Sequence, residues 1–415
     1  MTEQATIDEG QAAQVRADVQ AWLAEHWSPG KNHRQFLEEA VDAGWARPSW
    51  PRDLFGRDLP EELTPVIAEE FAAAGAPVPD TTASAIAATA IKDFAESPEL
   101  RGPVLRKLLT GEYRTCLLYS EPGAGSDLAA LQTRADRDGE EWVVNGQKVW
   151  TSGARQATHG LLAARTNWDV PKRRGITYFL LPMRQDGVEI RPIKQMTGQA
   201  SFNEVFFTNA RVPDILRISA LEDGWRVLQT ALAVERMSMG GGLRRARPQT
   251  RDAVQEAAAE AEEERAVPVR GAAELVGIAN QTGRNTDPVM RQDIARIHAL
   301  RRIGAWTAER SGGDSDMSTA AVLKLSMSTV LHGSARIHTQ LIGQESMLVA
   351  GASQEGDNAN QEAMWSFINS IGGGSDQIQR NLIAERVLGL PHDPSVDHNI
   401  PFREARKAEA VRRLG

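Results

Sequence analysis

The stretch Tyr119-Ser120-Glu121-Pro122-Gly123-Ala124-Gly125-Ser126-Asp127-Leu128 carries more information than any other ten residues of the chain. After the proline, Gly123, Ala124, Gly125 and Ser126 let backbone N–H groups converge with little side chain in the way. That is what a loop needs to approach a phosphate or a planar cofactor closely. Glycine-rich loops are also ordinary turns, so the neighbouring sequence has to decide. Downstream, Glu141-Trp142-Val143-Val144 and Gln147-Lys148-Val149-Trp150 flank Asn145-Gly146, a dipeptide that favours a type I′ turn. The pattern predicts a β-hairpin closing on Trp150-Thr151-Ser152, which places an anion nest, a large aromatic and a hydroxyl on neighbouring strands.

Composition bounds the function. The 415 residues suit two or three domains, and 41% hydrophobic with 25% charged residues is the balance of an ordinary globular protein. No apolar run reaches the roughly 20 residues of a membrane span. The N-terminus Met-Thr-Glu-Gln-Ala-Thr-Ile-Asp-Glu lacks the basic and apolar regions of a signal peptide, so a cytoplasmic location is expected. The single cysteine, Cys116, has no internal disulfide partner and reads as a small buried apolar residue. The eight histidines are scattered without ligand spacing, and no metal site is expected. A net charge of -8 argues against broad nucleic-acid binding. The one dense positive segment, Arg403 to Arg413, reads as a solvated helix or tail.

Periodicity divides the chain. Apolar residues recur at helical spacing at Val15, Val19, Trp22 and Leu23, and again at Leu63, Val66, Ile67 and Phe71, giving a helical domain over 1–115. From Thr115 the pattern becomes short β-rich runs at Leu117-Tyr119, Trp142-Val144, Leu161-Ala164, Ile176-Leu181, Val188-Ile190 and Val205-Phe207, giving a β-domain over 116–224. Helical spacing returns over 225–392 and stops at Gly389 and Pro391, leaving a tail at 393–415. Arg244 to Arg270, rich in Ala and Glu and bounded by Pro248 and Pro268, reads as an exposed, solvated helix.

Four segments in order resemble the acyl-CoA dehydrogenase family: the Ser-Glu-Pro-Gly-Ala-Gly-Ser-Asp loop, Lys148-Val-Trp-Thr-Ser152, Gln195-Met-Thr-Gly through Val212-Pro213, and Ile371-Gly-Gly-Gly-Ser-Asp-Gln-Ile-Gln-Arg380. The resemblance implies an α+β fold with an N-terminal helical domain, a middle β-barrel-like domain and a C-terminal four-helix bundle. It also implies bound FAD and α,β-dehydrogenation of an acyl-CoA, in lipid or steroid catabolism. By the same resemblance, Ser120, Gly125 and Ser126 lie near flavin and phosphate, with Ser126 also close to the acyl-CoA. Trp150, Thr151 and Ser152 flank the ring system, though hairpin core and turn remain open roles for Trp150 and Ser152. Gln340, Gly343, Gln344, Ser375 and Gln377 match segments that grip the adenosine half of FAD, the first of them from a neighbouring subunit. Gly374 matches a position whose backbone approaches the thioester, and Arg236 one near the substrate. Arg244 to Arg270 looks like an insertion relative to shorter members.

Desaturation needs a base for the α-proton and an acceptor for the β-hydride; no side chain accepts hydride, whereas a flavin does. In many members the base stands in the C-terminal glycine-rich loop, where this chain has Gly373. Some branches carry it on a C-terminal-domain helix directly before an arginine, and here Ala231-Leu-Ala-Val-Glu235-Arg236 occupies that place. Glu235 in an apolar segment is therefore the expected base; the alternative is a surface carboxylate paired one turn away. Two features depart from the family. Ala279-Asn280-Gln281-Thr282-Gly283 lacks the usual Arg and Phe that contact FAD across the dimer, and Gly343-Gln344 replaces a Gly-Gly. Arg284, Arg291 or Gln292 are the candidates to compensate. Expected partners are the acyl-CoA, an electron-transfer flavoprotein or another acceptor, and further subunits, as a homo-oligomer (dimer or tetramer) or a hetero-oligomer with a homologue. A FAD-holding subunit without independent activity and a flavin oxidase or monooxygenase are the competing readings.

Overall fold

The structure, a computed structural model, describes residues 9–77, 83–240, 270–310, 317–349, 351–392, 397 and 399–407. The insertion read at Arg244 to Arg270 lies outside them except for its last residue. The chain divides into two compact units: Met1–Ile193 with Ser201–Ala231 and Pro394–Gly415, and Lys194–Ala200 with Leu232–Asp393.

The first unit begins with α1 (Glu9–His26), α2 (His33–Asp42), α3 (Thr64–Ala73), α4 (Ala83–Phe94) and α5 (Leu105–Leu109). The spacing of Val15, Val19 and Leu23 puts all three on one face of α1, where they are buried against Phe36, Leu63, Ile67 and Phe71. Asn32 caps α2 by accepting the Gln35 N–H at 3.1 Å.

Seven strands follow: β1 (Thr115–Leu118), β2 (Arg134–Asp138), β3 (Glu141–Ser152), β4 (His159–Arg165), β5 (Ile176–Pro182), β6 (Val188–Ile193) and β7 (Phe202–Pro213). They form one sheet in the order β1-β4-β2-β3-β7-β6, with β5 also pairing β4. Every residue of β4 is buried, which explains why Leu161 to Ala164 read as a continuous apolar run and not as an alternating one.

The expected hairpin at Asn145-Gly146 is not there. Both residues lie inside the twelve-residue strand β3, where the register against β7 shifts between Val144 and Gly146. They form a bulge: Asn145 Oδ1 accepts the Asn209 N–H at 2.9 Å, and its Nδ2 donates to Asn209 Oδ1 at 3.2 Å. The glycine is needed for close approach, since a Cβ at Gly146 would lie 2.7 Å from Thr133 Cα. The turn into β3 is made one strand earlier at Gly139, with φ of 63°, joining β3 to β2, a strand that the sequence pattern passed over.

The second unit contains the end of α6 (Gly224–Gly240), α7 (Ala272–Gln281), α8 (Pro288–Arg310), α9 (Met317–Ile342), α10 (Gln354–Ile371) and α11 (Asp376–Leu382). Leu275 and Ile278 of α7, Met290, Ile294 and Ile297 of α8, and Val330, Ile337 and Leu341 of α9 form its apolar core. His338 is buried between two carboxylates of α10, Glu362 and Glu355, each 2.8 Å from a ring nitrogen, and this ties α9 to α10.

Gly146→Ala is expected to destabilise the protein by about 2–3 kcal/mol, because the new methyl meets backbone that cannot yield. Gly139→Ala, whose Cβ would meet nothing within 4 Å, should cost only about 1 kcal/mol for its left-handed φ. Thermal unfolding of the two variants decides the matter; equal losses would contradict the bulge.

Candidate functional site

In the first unit the Ser120 to Leu128 loop leaves β1 and closes on itself: Glu121 and Ala124 exchange both backbone hydrogen bonds at 3.0 Å. The Glu121 side chain turns inward. Its carboxylate accepts the Gln132 N–H at 2.6 Å, the Thr133 N–H at 2.8 Å and the Lys148 ammonium at 2.8 Å. Lys148, fully buried, also donates to the Tyr119 carbonyl at 2.9 Å. Burial works against the Glu121 charge, but the Lys148 charge and these hydrogen bonds hold its carboxyl below the ordinary carboxylate range. Beyond this anchor Gly123, Gly125 and Ser126 are exposed. Among the described residues, their N–H groups have no hydrogen-bond partner, and a Cβ at Gly125 would meet nothing within 4 Å.

The pair also fixes β3 beside the loop, where the Val149 N–H donates to the Ser120 carbonyl at 2.9 Å. A second register shift against β7 falls between Lys148 and Thr151. It forces Trp150 into the left-handed region, φ 62°, a conformation that costs a bulky residue about 1–3 kcal/mol. The indole consequently leaves the sheet: it is 59% exposed and stands edge-on to Phe202 with centroids 6.0 Å apart. Thr151 points inward, and its buried hydroxyl has no partner among the described residues. Ser152 is exposed. Thus Ser120, Gly125, Ser126, Trp150, Thr151 and Ser152 all lie on two adjacent segments of this unit.

The other expected residues belong to the second unit. Glu235 is half-buried on α6, behind Ala231-Leu232-Ala233-Val234; Arg236 follows it on the same helix. At the end of α10, Gly373 and Gly374 take φ of 63° and 91°, which only glycine adopts freely. Ser375 then caps α11 by accepting the Ile378 N–H at 3.4 Å. Gln377 is exposed beside it, and Gln340 and Gln344 are exposed at the end of α9. Gly343, φ 59°, has the guanidinium of Arg284 beside it: a Cβ there would be 3.5 Å from Nη2. Of the three compensating candidates, Arg284 is the one that stands next to the altered Gly343-Gln344 segment.

Sequence reasoning missed what holds the glycine loop. Gln379 donates to the carbonyls of Gly373 at 3.2 Å and Gly374 at 3.5 Å. Asp376 accepts from the fully buried Lys324 at 3.0 Å and from Ser328 at 2.8 Å, while Asn369 donates to Ser328 Oγ at 2.9 Å. The signal existed: Lys324 interrupts the apolar run Ala320-Ala321-Val322-Leu323 just as Glu235 interrupts its own.

An anion-ready loop beside a raised tryptophan on a curled sheet, with helical elements before and after it in sequence, is the arrangement of a nucleotide-cofactor oxidoreductase. Residues 116–210 match the profile of the acyl-CoA dehydrogenase middle domain, and residues 222–388 that of the acyl-CoA dehydrogenase C-terminal domain. The chain belongs to the acyl-CoA dehydrogenase family, whose members are flavoprotein oxidoreductases. It is 34% identical over 394 residues to acyl-CoA dehydrogenase FadE34 of Mycobacterium tuberculosis, a match covering 93% of this chain and 50% of that protein, so the chain spans about half of FadE34. It is 32% identical over 419 residues to acyl-CoA dehydrogenase IpdE1 of the same organism, covering 92% of this chain and 98% of that protein. Among solved structures, the ChsE4-ChsE5 complex from Mycobacterium tuberculosis matches with a TM-score of 0.60 at 25% identity, covering 95% of this chain and 100% of that one. A structure titled Tcur3481-Tcur3483 steroid ACAD matches the fold with a TM-score of 0.67 at 23% identity, over 95% and 100%.

The family implies FAD. The unpartnered N–H groups of the loop, the projecting Trp150 and the orphaned Thr151 hydroxyl fit its phosphate and ring system. No helix among the described residues is long and apolar enough to cross a membrane.

Lys148→Met should strand the buried Glu121 carboxylate, at a cost of about 3–5 kcal/mol, and lower FAD retention. The pH dependence has a definite sign. Because the folded-state carboxyl is held below 4.5, its contribution is full at neutral pH and is lost as pH falls through that lowered value. Denaturant unfolding at pH 7 and at pH 4 tests this: the gap between wild type and Lys148→Met should narrow in acid, and a constant gap would contradict it.

Proposed function

We propose that the chain catalyses α,β-dehydrogenation of an acyl-CoA thioester, with Glu235 as the base. Bound FAD supplies the hydride acceptor that no side chain can provide. The residues that would hold it are Ser120, Gly125, Ser126, Trp150, Thr151 and Ser152, together with Gln340, Gly343, Gln344, Ser375 and Gln377. Arg284 takes the place of the arginine missing at 279–283. Ser126, Arg236 and Gly374 orient the thioester. The Gly374 N–H donates to its carbonyl oxygen, which gains charge as the α-carbon loses its proton, and that donation matters most in the transition state. Glu235 receives the α-proton as the general base.

The observation that carries this reading is the exchange of positions: the glycine-rich loop has a left-handed glycine at 373 where many relatives keep their base, while a half-buried carboxylate appears at 235 within an apolar stretch of α6. The substrate class is an acyl-CoA of lipid or steroid catabolism, handled in the cytoplasm, with an electron-transfer flavoprotein or another acceptor removing the electrons. A hetero-oligomer with a homologue is favoured over a homo-oligomer by the missing Arg and Phe at 279–283 and by the paired composition of the ChsE4-ChsE5 complex.

Glu235→Gln keeps the size and hydrogen bonding of the side chain and removes its basicity. The variant should bind FAD like wild type and be reduced by acyl-CoA about 10²–10⁴-fold more slowly, the scale of general-base catalysis. Stopped-flow reduction under anaerobic conditions measures this, and a near-normal rate would remove Glu235 from the mechanism.

A further inference from the structure

Arg403 to Lys407, the described part of the segment expected to be a solvated helix or tail, are helical and exposed or half-buried, but the residues around their start pack onto the β-bearing unit. Phe402 is buried. The Phe402 N–H donates to the Val170 carbonyl and the Arg403 N–H to the Trp168 carbonyl, each at 2.9 Å, and Pro401 bridges Pro171. Arg403 adds an ion pair to Asp169 at 2.7 Å. Two further contacts lead to the glycine-rich loop. Asp397 and Asp127 share one ammonium, that of Lys172, each at 2.8 Å, and Asp127 immediately follows Ser126. Phe402 covers the guanidinium of Arg165, 3.8 Å from its ring centroid. Arg165 is fully buried and donates to the carbonyls of Ala129 at 2.7 Å, Leu131 at 3.0 Å and Lys172 at 3.0 Å. The short 3-10 turn Leu128–Ala130 that ends the loop therefore hangs on a cation whose face is shielded from water by Phe402.

From this geometry we infer that the segment Pro401–Lys407, with Asp397, is a strap that positions the Ser126-Asp127 loop for FAD and acyl-CoA. The strap acts through Lys172 on one side and Arg165 on the other, and its residues are positioning residues that need not touch either ligand. The physical case is the loop's own poverty of anchors. Beyond Glu121 its backbone donors face outward, and the Asp127 side chain pairs with Lys172. Removing Asp397 leaves Lys172 one carboxylate instead of two, and removing the aromatic face of Phe402 admits water to Arg165 and weakens its hold on Ala129 and Leu131. Part of the Ser126 alignment is thus set by residues at the far end of the sequence.

The inference rests on the proposed function for what the loop holds, but not for whether the strap holds the loop, and the test separates the two. Asp397→Asn and Phe402→Leu are compared with wild type and with Lys172→Arg, which keeps the charge. Hydrogen exchange of the 123–130 amides is followed in the apoprotein, and FAD affinity is measured by fluorescence titration. Both strap variants should speed exchange in that loop while leaving β4 and β5 protected. They should also weaken FAD binding roughly fivefold to tenfold, the scale of one charge-assisted hydrogen bond; Lys172→Arg should stay near wild type. Unchanged loop exchange in both variants would overturn the strap whatever FAD does. Faster loop exchange in the two variants, with a wild type that binds no FAD, would keep the strap and sink the flavin reading. Phe402→Leu failing to fold would leave Asp397→Asn, whose side chain is outside the core, to decide.

Discussion

The buried ion pair between Glu121 and Lys148 is the constraint on which the site in the β-bearing unit depends. Alone, either charge would be costly at its depth; together, with two backbone N–H groups on the carboxylate and a carbonyl on the ammonium, their hydrogen-bonding capacity is nearly filled. The pair sits one residue before the Pro-Gly turn and two residues before Trp150. Satisfying it therefore fixes the glycine loop and the raised indole with a single contact. The exposed N–H groups of the loop are tolerable because water, or an anion, can reach them.

The second unit solves the same problem in the same way. Lys324 and Asp376 place a charge pair under the turn that begins α11, and Ser328, Asn369 and Gln379 complete the polar set beneath Gly373 and Gly374. Two glycines at positive φ would otherwise make that turn loose. In both units a flexible glycine segment stands on a buried charged pair, so the chain has backbone that can approach a ligand closely without being free to wander.

Much of this was legible in the sequence because it is local. Helical spacing at Val15, Val19 and Leu23 gave the burial face of α1, and the β-rich runs located six of the seven strands. The glycine loop stands out in the sequence because consecutive small residues leave backbone N–H groups open, and in the structure Gly123, Gly125 and Ser126 are exposed. The failures are equally physical. Asn145-Gly146 reads as a turn because the dipeptide favours positive φ, but a bulge demands the same conformational freedom, and only the strand opposite, with its own Asn209 at φ 56°, decides between them. Arg134 to Asp138 is invisible as a strand because four of its five residues are charged and exposed, with Ala135 alone buried, so the strand shows no apolar alternation. The partners Lys172 with Asp397 and Arg165 with Phe402 lie more than two hundred residues apart, beyond the reach of any periodicity.

On the proposed function, this chain holds a flavin that an acyl-CoA thioester reduces. Anaerobic addition of CoA thioesters of graded length and bulk to the purified, FAD-loaded protein, watched in the visible flavin band, tests it most directly. At least one thioester should bleach the band and be recovered as its α,β-unsaturated product. A protein that retains FAD and is bleached by dithionite, yet stays oxidised with every thioester, would contradict it.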